Sequence, residues 1–272
     1  MEALTKPLGQ RSVTRGQHLA GRFKQGLWCV LAFGCLNLRV TVAAEAPSYY
    51  ELRIYDVTRN KLDAVLERFR DTVEPVRRKH GINTLGYWTA STTNGEKFVY
   101  LIQGLSKEQL NEREKEFGAD PQFQKGYAAS NQKHGKTVDK ITVLPLNCLP
   151  AAKFDFAASA APRAYELRIY SVLPGKLEAF AARWRDSAVP IYERHGLHSI
   201  GWWISEGKAV DGNDQFVCLL AGDSLARIQQ SIDAFHGDAE WKRVESETER
   251  EGKLRAAVET LKMSATDFSI LR

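Results

Sequence analysis

One six-residue phrase stands twice in this chain without change, as Tyr50-Glu51-Leu52-Arg53-Ile54-Tyr55 and as Tyr165-Glu166-Leu167-Arg168-Ile169-Tyr170. The identity spreads beyond the phrase itself. At a constant offset of 115, the segment from Tyr50 to Trp88 agrees with Tyr165 to Trp203 at 18 of 39 positions without a gap, more than two unrelated segments of similar periodicity would share. The chain is therefore two copies of one unit, and any fold proposed for it must come in matching halves.

Each copy opens with strict alternation. Tyr50, Leu52 and Ile54 fall on one face of a strand and Glu51, Arg53 and Tyr55 on the other. From Lys61 the period changes: Leu62, Val65, Leu66, Phe69, Val73 and Val76 recur at helical spacing, and Leu177, Phe180, Ala181, Trp184, Ala188 and Ile191 repeat the stripe. Pro75 and Pro190 lie inside these helices and predict a kink in both at that turn, because each removes a backbone donor. Lys79-His80-Gly81 and Arg194-His195-Gly196 supply cations at the carbonyl end and then a glycine for a left-handed cap.

Second strands are expected over Ile82 to Ala90 and Leu197 to Ile204, and third strands over Phe98 to Gln103 and Phe216 to Leu220. Second helices should run from Ser106 to about Lys133 and from Ser224 to about Lys253. They should break and restart at Asp120 and Asp238, with Pro121 in the first turn. Fourth strands, Val138 to Leu144 and Val258 to Ser264, complete a βαββαβ order in each copy. The fold class is thus α+β, with two ferredoxin-like repeats, 48–145 and 163–268, joined by a linker over 146–162. A ferredoxin-like sheet covered by helices on one face leaves the other face open. Two such sheets in one chain can close on each other as an intramolecular dimeric α/β-barrel.

With these motifs placed, the chain resembles the NIPSNAP family of the dimeric α/β-barrel superfamily. The resemblance is carried by the opening Tyr-Glu-Leu-Arg-Ile-Tyr, by Arg78-Lys79-His80-Gly81 and Glu193-Arg194-His195-Gly196, by the Gly-aromatic-Trp of the second strand, and by Phe117 to Phe123 and Phe235 to Trp241. It implies the fold and the duplication, and no defined reaction. Animal relatives are associated with mitochondria and vesicle traffic, and the wider superfamily includes cofactor-independent monooxygenases and haem-handling enzymes. That breadth makes fold a weak guide to activity.

The formal charge of +5 points to no basic binding face. Residues 1–44 hold six of the 38 Lys and Arg and one of the 33 acids, which leaves 32 of each sign in the remainder. A nucleic-acid partner loses its compositional support. A basic segment ending Arg22-Phe23-Lys24, the apolar run Gly26 to Leu38 and the small residues Val42-Ala43-Ala44 have the layout of a signal peptide over 1–44. The chain is expected to be exported, periplasmic or secreted, with no integral membrane segment after cleavage. A mitochondrial presequence is the alternative reading of the same residues. Cys148 and Cys218 remain after the leader, either as one disulfide or as two free thiols.

No metal-ligand spacing, phosphate-cradling loop, dinucleotide fingerprint or nucleophile elbow is present in the sequence, so neither metal nor cofactor is expected. If Leu52 and Ile54 pack on the helices, then Glu51, Arg53 and Tyr55 line the barrel interior with Glu166, Arg168 and Tyr170, where buried charges must pair or meet a ligand. The bland alternative is a Glu-Arg ladder satisfied across the pseudo-twofold. His80 and His195, kept in both copies, are the candidate catalytic bases, although their helix-end position also explains them. His198 opposite Asn83 marks an asymmetry that one working site among two copies would produce. The expected function is binding of a small organic ligand in the barrel. A cofactor-independent monooxygenase or other oxidoreductase for a small phenolic or enolisable substrate, and a non-catalytic interaction scaffold, are the alternatives. A homo-oligomer is a further possibility for the assembly.

Overall fold

The computed structural model describes residues 47–149, 152–157 and 163–272. The leader expected over 1–44 lies outside them. Eight strands and eight helices follow in two rounds: β1 (Tyr49–Val57), α1 (Leu62–Arg68), α2 (Glu74–Lys79), β2 (Asn83–Thr92), β3 (Gly95–Gly104), α3 (Lys107–Ala119), α4 (Pro121–His134) and β4 (Val138–Cys148), then β5 (Ala164–Val172), α5 (Leu177–Arg183), α6 (Val189–Arg194), β6 (His198–Lys208), β7 (Asp214–Gly222), α7 (Leu225–Gly237), α8 (Ala239–Thr248) and β8 (Arg255–Ala265).

All eight strands form one closed antiparallel barrel in the order β1-β3-β2-β8-β5-β7-β6-β4. Each half contributes a complete ferredoxin-like sheet, and the halves join where β2 meets β8 and β4 meets β6. Closure leaves no free sheet edge. β4 reaches Cys148, so Leu146, Asn147 and Cys148, which composition places in the linker, are strand residues paired with Ser205, Ile204 and Trp203.

A π turn separates α1 from α2 (Phe69–Val73) and α5 from α6 (Trp184–Ala188). Pro75 and Pro190 follow these turns by two residues and cannot donate to the carbonyl four residues back. The ladder widens just before them, with the Glu74 amide bonded to the Phe69 carbonyl and that of Val189 to the Trp184 carbonyl. Asp120 and Asp238 cap α4 and α8 through their side chains, as their spacing predicts. The second helix of the second half stops at Thr248, short of Lys253. Glu245, Glu247 and Glu249 crowd its carbonyl end, where negative charge is unfavourable, and Glu249 turns to Arg183.

Three apolar clusters define the layers. The central one joins the halves and contains Leu52, Trp88, Leu101, Leu167, Trp203 and Leu219; it is the barrel interior. The other two lie between the sheet and the helices, one per half. β2 and β6 each bulge at Leu85 and Ile200, just before Gly86 and Gly201. A Cβ at Gly86 would stand 2.3 Å from the Trp88 indole, and one at Gly201 would stand 2.6 Å from Phe154, so only glycine fits. The carbonyls of the bulged residues take amides from the segments that follow β8 and β4: Leu271 donates to Leu85 at 3.1 Å and Asp155 to Ile200 at 2.9 Å. Phe154 thereby stacks on Tyr50 at 5.5 Å and reaches Trp203 at 5.4 Å. Both Cys148 and Cys218 are free thiols, Cys148 packed against the barrel interior and Cys218 within the helix layer of the second half.

Candidate functional site

The barrel interior is not a binding cavity. Leu52, Trp88, Leu146, Leu167, Trp203 and Met263 surround a residual void of about 10 Å³, too small to hold any ligand. The strand faces are therefore the reverse of the expectation. Tyr50, Leu52 and Ile54 point into the barrel, while Glu51, Arg53 and Tyr55 point outward under the helices. The same holds for Leu167 against Glu166, Arg168 and Tyr170. The physical reason is the better match of each face to its layer. An interior walled by strands alone offers almost no partners for charge, whereas the layer beneath the helices brings polar side chains down from above.

In the first half that layer encloses a pocket of about 490 Å³, within the usual range of small-molecule sites. Arg53 forms a two-nitrogen ion pair with Glu51 on its own strand, at 2.6 and 2.9 Å, and reaches Glu114 of α3 at 3.3 Å. The Glu-Arg pairing is thus local to one strand, not a ladder across the pseudo-twofold. The hydroxyls of Tyr55 and Tyr100 lie 2.9 Å apart. Burial, then the neighbouring Tyr100, pushes the Tyr55 phenol far above its ordinary range, so it stays protonated.

Two further arginines complete the wall, and sequence reasoning missed both. Arg77 on α2 is only 2% exposed. One terminal nitrogen donates to Tyr100 at 3.3 Å and Glu114 at 3.1 Å, but its Nε and other terminal nitrogen have no partner among the described residues. Its guanidinium lies 4.7 Å from the centre of the Tyr100 ring and 5.4 Å from that of Phe117. Arg68 on α1, 7% exposed, bonds only neutral groups, Ser130 at 2.9 Å and Asn131 at 2.8 Å. The Thr137 hydroxyl of the same pocket also has no partner among the described residues. A signal for Arg77 was present in the sequence, since it stands four residues after Val73 on the stripe that packs the sheet, a place where a cation needs a reason. Phe69, Phe117 and Phe123 supply an apolar, aromatic body to the pocket, and the half-exposed Ile141 of β4 also lines it.

The second half keeps Arg168 but arranges it differently. Glu166 holds its Nε at 2.6 Å, and one terminal nitrogen donates to the hydroxyls of Tyr170 at 3.1 Å and Tyr192 at 3.2 Å. Tyr192 takes the place of Arg77 and stacks on Phe235 with ring centres 3.9 Å apart. The cavity there shrinks to about 70 Å³.

The two candidate histidines stand away from both cavities, whereas His236 lines that of the second half. His80 and His195 cap α2 and α6, and the Nε2 of each lies 2.9 Å from the capping carboxylate of Asp120 or Asp238. Lys79 adds a bond to Asp120 at 2.6 Å and Arg194 one to Asp238 at 2.8 Å. Hydrogen bonds from these cations and histidines hold both aspartates well below the ordinary carboxylate range. The pair is a latch between helices, repeated in each half. His198 is exposed on β6 and lines neither of these cavities. Among the described residues no group of three His, Cys, Asp or Glu side chains is placed to hold a metal ion, and no helix is long and apolar enough to cross a membrane.

Among solved structures, a candidate monooxygenase from Fusobacterium nucleatum matches at a TM-score of 0.55 with 9% identity, covering 81% of this chain and 93% of that one. A second candidate monooxygenase, from Lactobacillus acidophilus, gives 0.52 with 9% identity, 81% and 94%. At such identity the likeness speaks for the fold alone. A NIPSNAP family protein of unknown function from Agrobacterium tumefaciens is 22% identical over 43% of this chain and 99% of its own, with a TM-score of 0.35. No curated protein is a match in sequence. The NIPSNAP family model fits residues 50–150 and again 165–269, which together with the doubled βαββαβ order and the closed barrel makes this chain a tandem member of the NIPSNAP family.

Proposed function

We propose that the first-half pocket binds a small organic acid with a flat, largely apolar body. Arg77 carries the reading. A guanidinium 2% exposed, beside a 490 Å³ cavity and with two nitrogens unpartnered among the described residues, is a costly arrangement that an anionic group would relieve. The charge count agrees. Arg53, Arg68, Arg77, Lys136 and Lys140 stand against Glu51, Glu114 and Asp139, two carboxylates short of balance, and Arg68 has only neutral partners among the described residues. The carboxylate would seat on Arg77 while the body lies among Phe69, Phe117 and Phe123.

Binding is favoured over catalysis because no histidine among the described residues lines the pocket, Tyr55 is held as a neutral phenol, and Glu114 is tied to two arginines. The basic-then-apolar layout of residues 1–44 supports export as the setting, which cell fractionation tests.

Isothermal titration of the purified chain with benzoate, salicylate and longer aryl carboxylates tests the reading. One or more should bind saturably, the neutral amides of the same compounds should not, and Arg77→Met should abolish the heat. Equal binding of acid and amide, or an unaltered Arg77→Met titration, would overturn it. Oxygen uptake with a phenolic substrate, lost in Arg77→Met, would replace binding by the oxidoreductase reading.

A further inference from the structure

The small cavity of the second half is not merely a filled-in copy of the first. Trp184 stands where the first half has Phe69, and Trp241 where it has Phe123. A larger ring explains lost volume, but any large hydrocarbon would serve that purpose. Indole also brings an N–H donor. Trp184 is 4% exposed and Trp241 7%, and the Nε1 of each has no acceptor among the described residues. Both line the same space of about 70 Å³, which admits a molecule of a few heavy atoms.

The charged groups on the rest of the wall, which Phe180, Ala188, Phe235 and Val258 otherwise make apolar, have one sign. Arg168, Arg183 and Arg255 line it, and no carboxylate does. Glu166 and Glu249 pair with the first two, at 2.6 and 2.9 Å, without lining the cavity themselves. Arg255 has no ion pair among the described residues, and its guanidinium lies 5.9 Å from the centre of the Tyr170 ring. His236, also on the wall, is kept neutral by burial and by the charge of Arg168, which lower its pKa. A small space walled by two tryptophans with buried, unpartnered N–H groups and by a cation without an ion pair among the described residues suits an anion and repels a cation.

We propose that this second-half cavity is a binding site for a small oxyanion, of nitrate or phosphate size, held by the indole N–H groups of Trp184 and Trp241 and by Arg255. The site is independent of the organic-acid pocket. It uses other residues, in the other half, and takes a ligand too small to need the aromatic walls of the first.

The test is a titration of the ¹⁵N-labelled full-length chain with nitrate and with inorganic phosphate, at an ionic strength held constant with gluconate, which is too large for the cavity. The indole signals of Trp184 and Trp241 are assigned by their loss in Trp184→Phe and Trp241→Phe, the residue the first half uses at both places. Both signals should shift saturably with at least one anion, those of Trp88 and Trp203 in the barrel should stay, and Arg255→Gln should weaken the midpoint at least tenfold. Uniform movement of all indoles, no saturation with either anion, or an unchanged midpoint in Arg255→Gln would overturn the proposal. A bromide-soaked crystal of the unsubstituted chain gives a second reading. An anomalous peak within hydrogen-bond distance of both indole nitrogens supports the site, and a water there instead refutes it. Because the readout follows only these two tryptophans, loss of organic-acid binding elsewhere leaves it untouched.

Discussion

The two halves of the barrel keep the same frame and differ in what they enclose. The glycine caps, π turns, bulges and histidine-aspartate latches are repeated, as are Arg53 and Arg168 with their neighbouring glutamates. Beneath the helices the agreement ends. Arg77, Tyr100 and Glu114 in the first half correspond to Tyr192, Cys218 and Ile232 in the second, and the cavity falls from about 490 to about 70 Å³. Three neighbouring changes remove the Arg77 and Glu114 charges from the wall, which in the second half keeps Arg168, Arg183 and Arg255, while the sheet that carries them stays the same. The frame is thus fixed by backbone requirements that every copy must meet, and the pocket by side chains on which the frame does not depend.

The largest expected effect lies in the second half. Tyr192→Ala removes a fully buried ring stacked on Phe235 and should cost about 3 kcal/mol in urea unfolding. A loss below about 1 kcal/mol would mean that Tyr192 is not what fills the second cavity. Next is transplantation of the second-half wall into the first. Arg77→Tyr with Glu114→Ile should weaken aryl carboxylate binding by about 100-fold, some 2.7 kcal/mol. The paired change should also be gentler on stability than Arg77→Tyr alone, which strands Glu114 without one of its two cations. If the single variant proves the more stable, Arg77 and Glu114 are not a mutually dependent pair.

The latches should respond alike in the two halves. Asp120→Ala and Asp238→Ala should each cost about 1 kcal/mol through loss of the helix cap. Their pH behaviour follows from the sign of the shift. Both carboxylates titrate below their unfolded value in the folded chain, so the stability they confer is complete above roughly pH 4 and is lost as the pH falls from there through the folded value. Asp120→Asn and Asp238→Asn, which keep the capping oxygen, should flatten the acid side of the stability profile by similar amounts. A profile changed by only one of them would show that the latches are not equivalent.

The smallest effect is a difference of sign at the outer arginine. Arg183→Met leaves Glu249 without its partner and should destabilise by about 1 kcal/mol, whereas Arg68→Met removes a buried charge with only neutral partners and should be neutral or slightly stabilising. Equal losses at the two positions would mean that Arg68 is compensated as fully as Arg183.

Most of the frame was legible because it rests on local rules. Alternation marked β1 and β5, the Gly81 and Gly196 positions marked the helix ends, and Asp120 and Asp238 marked the restarts. The direction of the strand faces was not. Alternation separates Leu52 from Arg53, but both faces of β1 are covered, one by the opposite half and one by helices, and the period alone does not say which layer takes which face. Glu51, Arg53, Tyr55 and their counterparts were singled out on grounds that hold, since buried charge needs a partner, yet their partners come from helix residues such as Glu114 and Tyr192 that are distant in the chain. His80 and His195 attracted attention for their chemistry and owe their place to a cap.

In a barrel assembled from two identical polypeptides, a single gene writes both pockets, so a substitution that closes one must close the other as well. Covalent joining through the segment that carries Phe154 removes that obligation. Each copy can then acquire its own specificity, or surrender one, without its counterpart following, provided it still presents the edges and the apolar face on which the shared barrel depends.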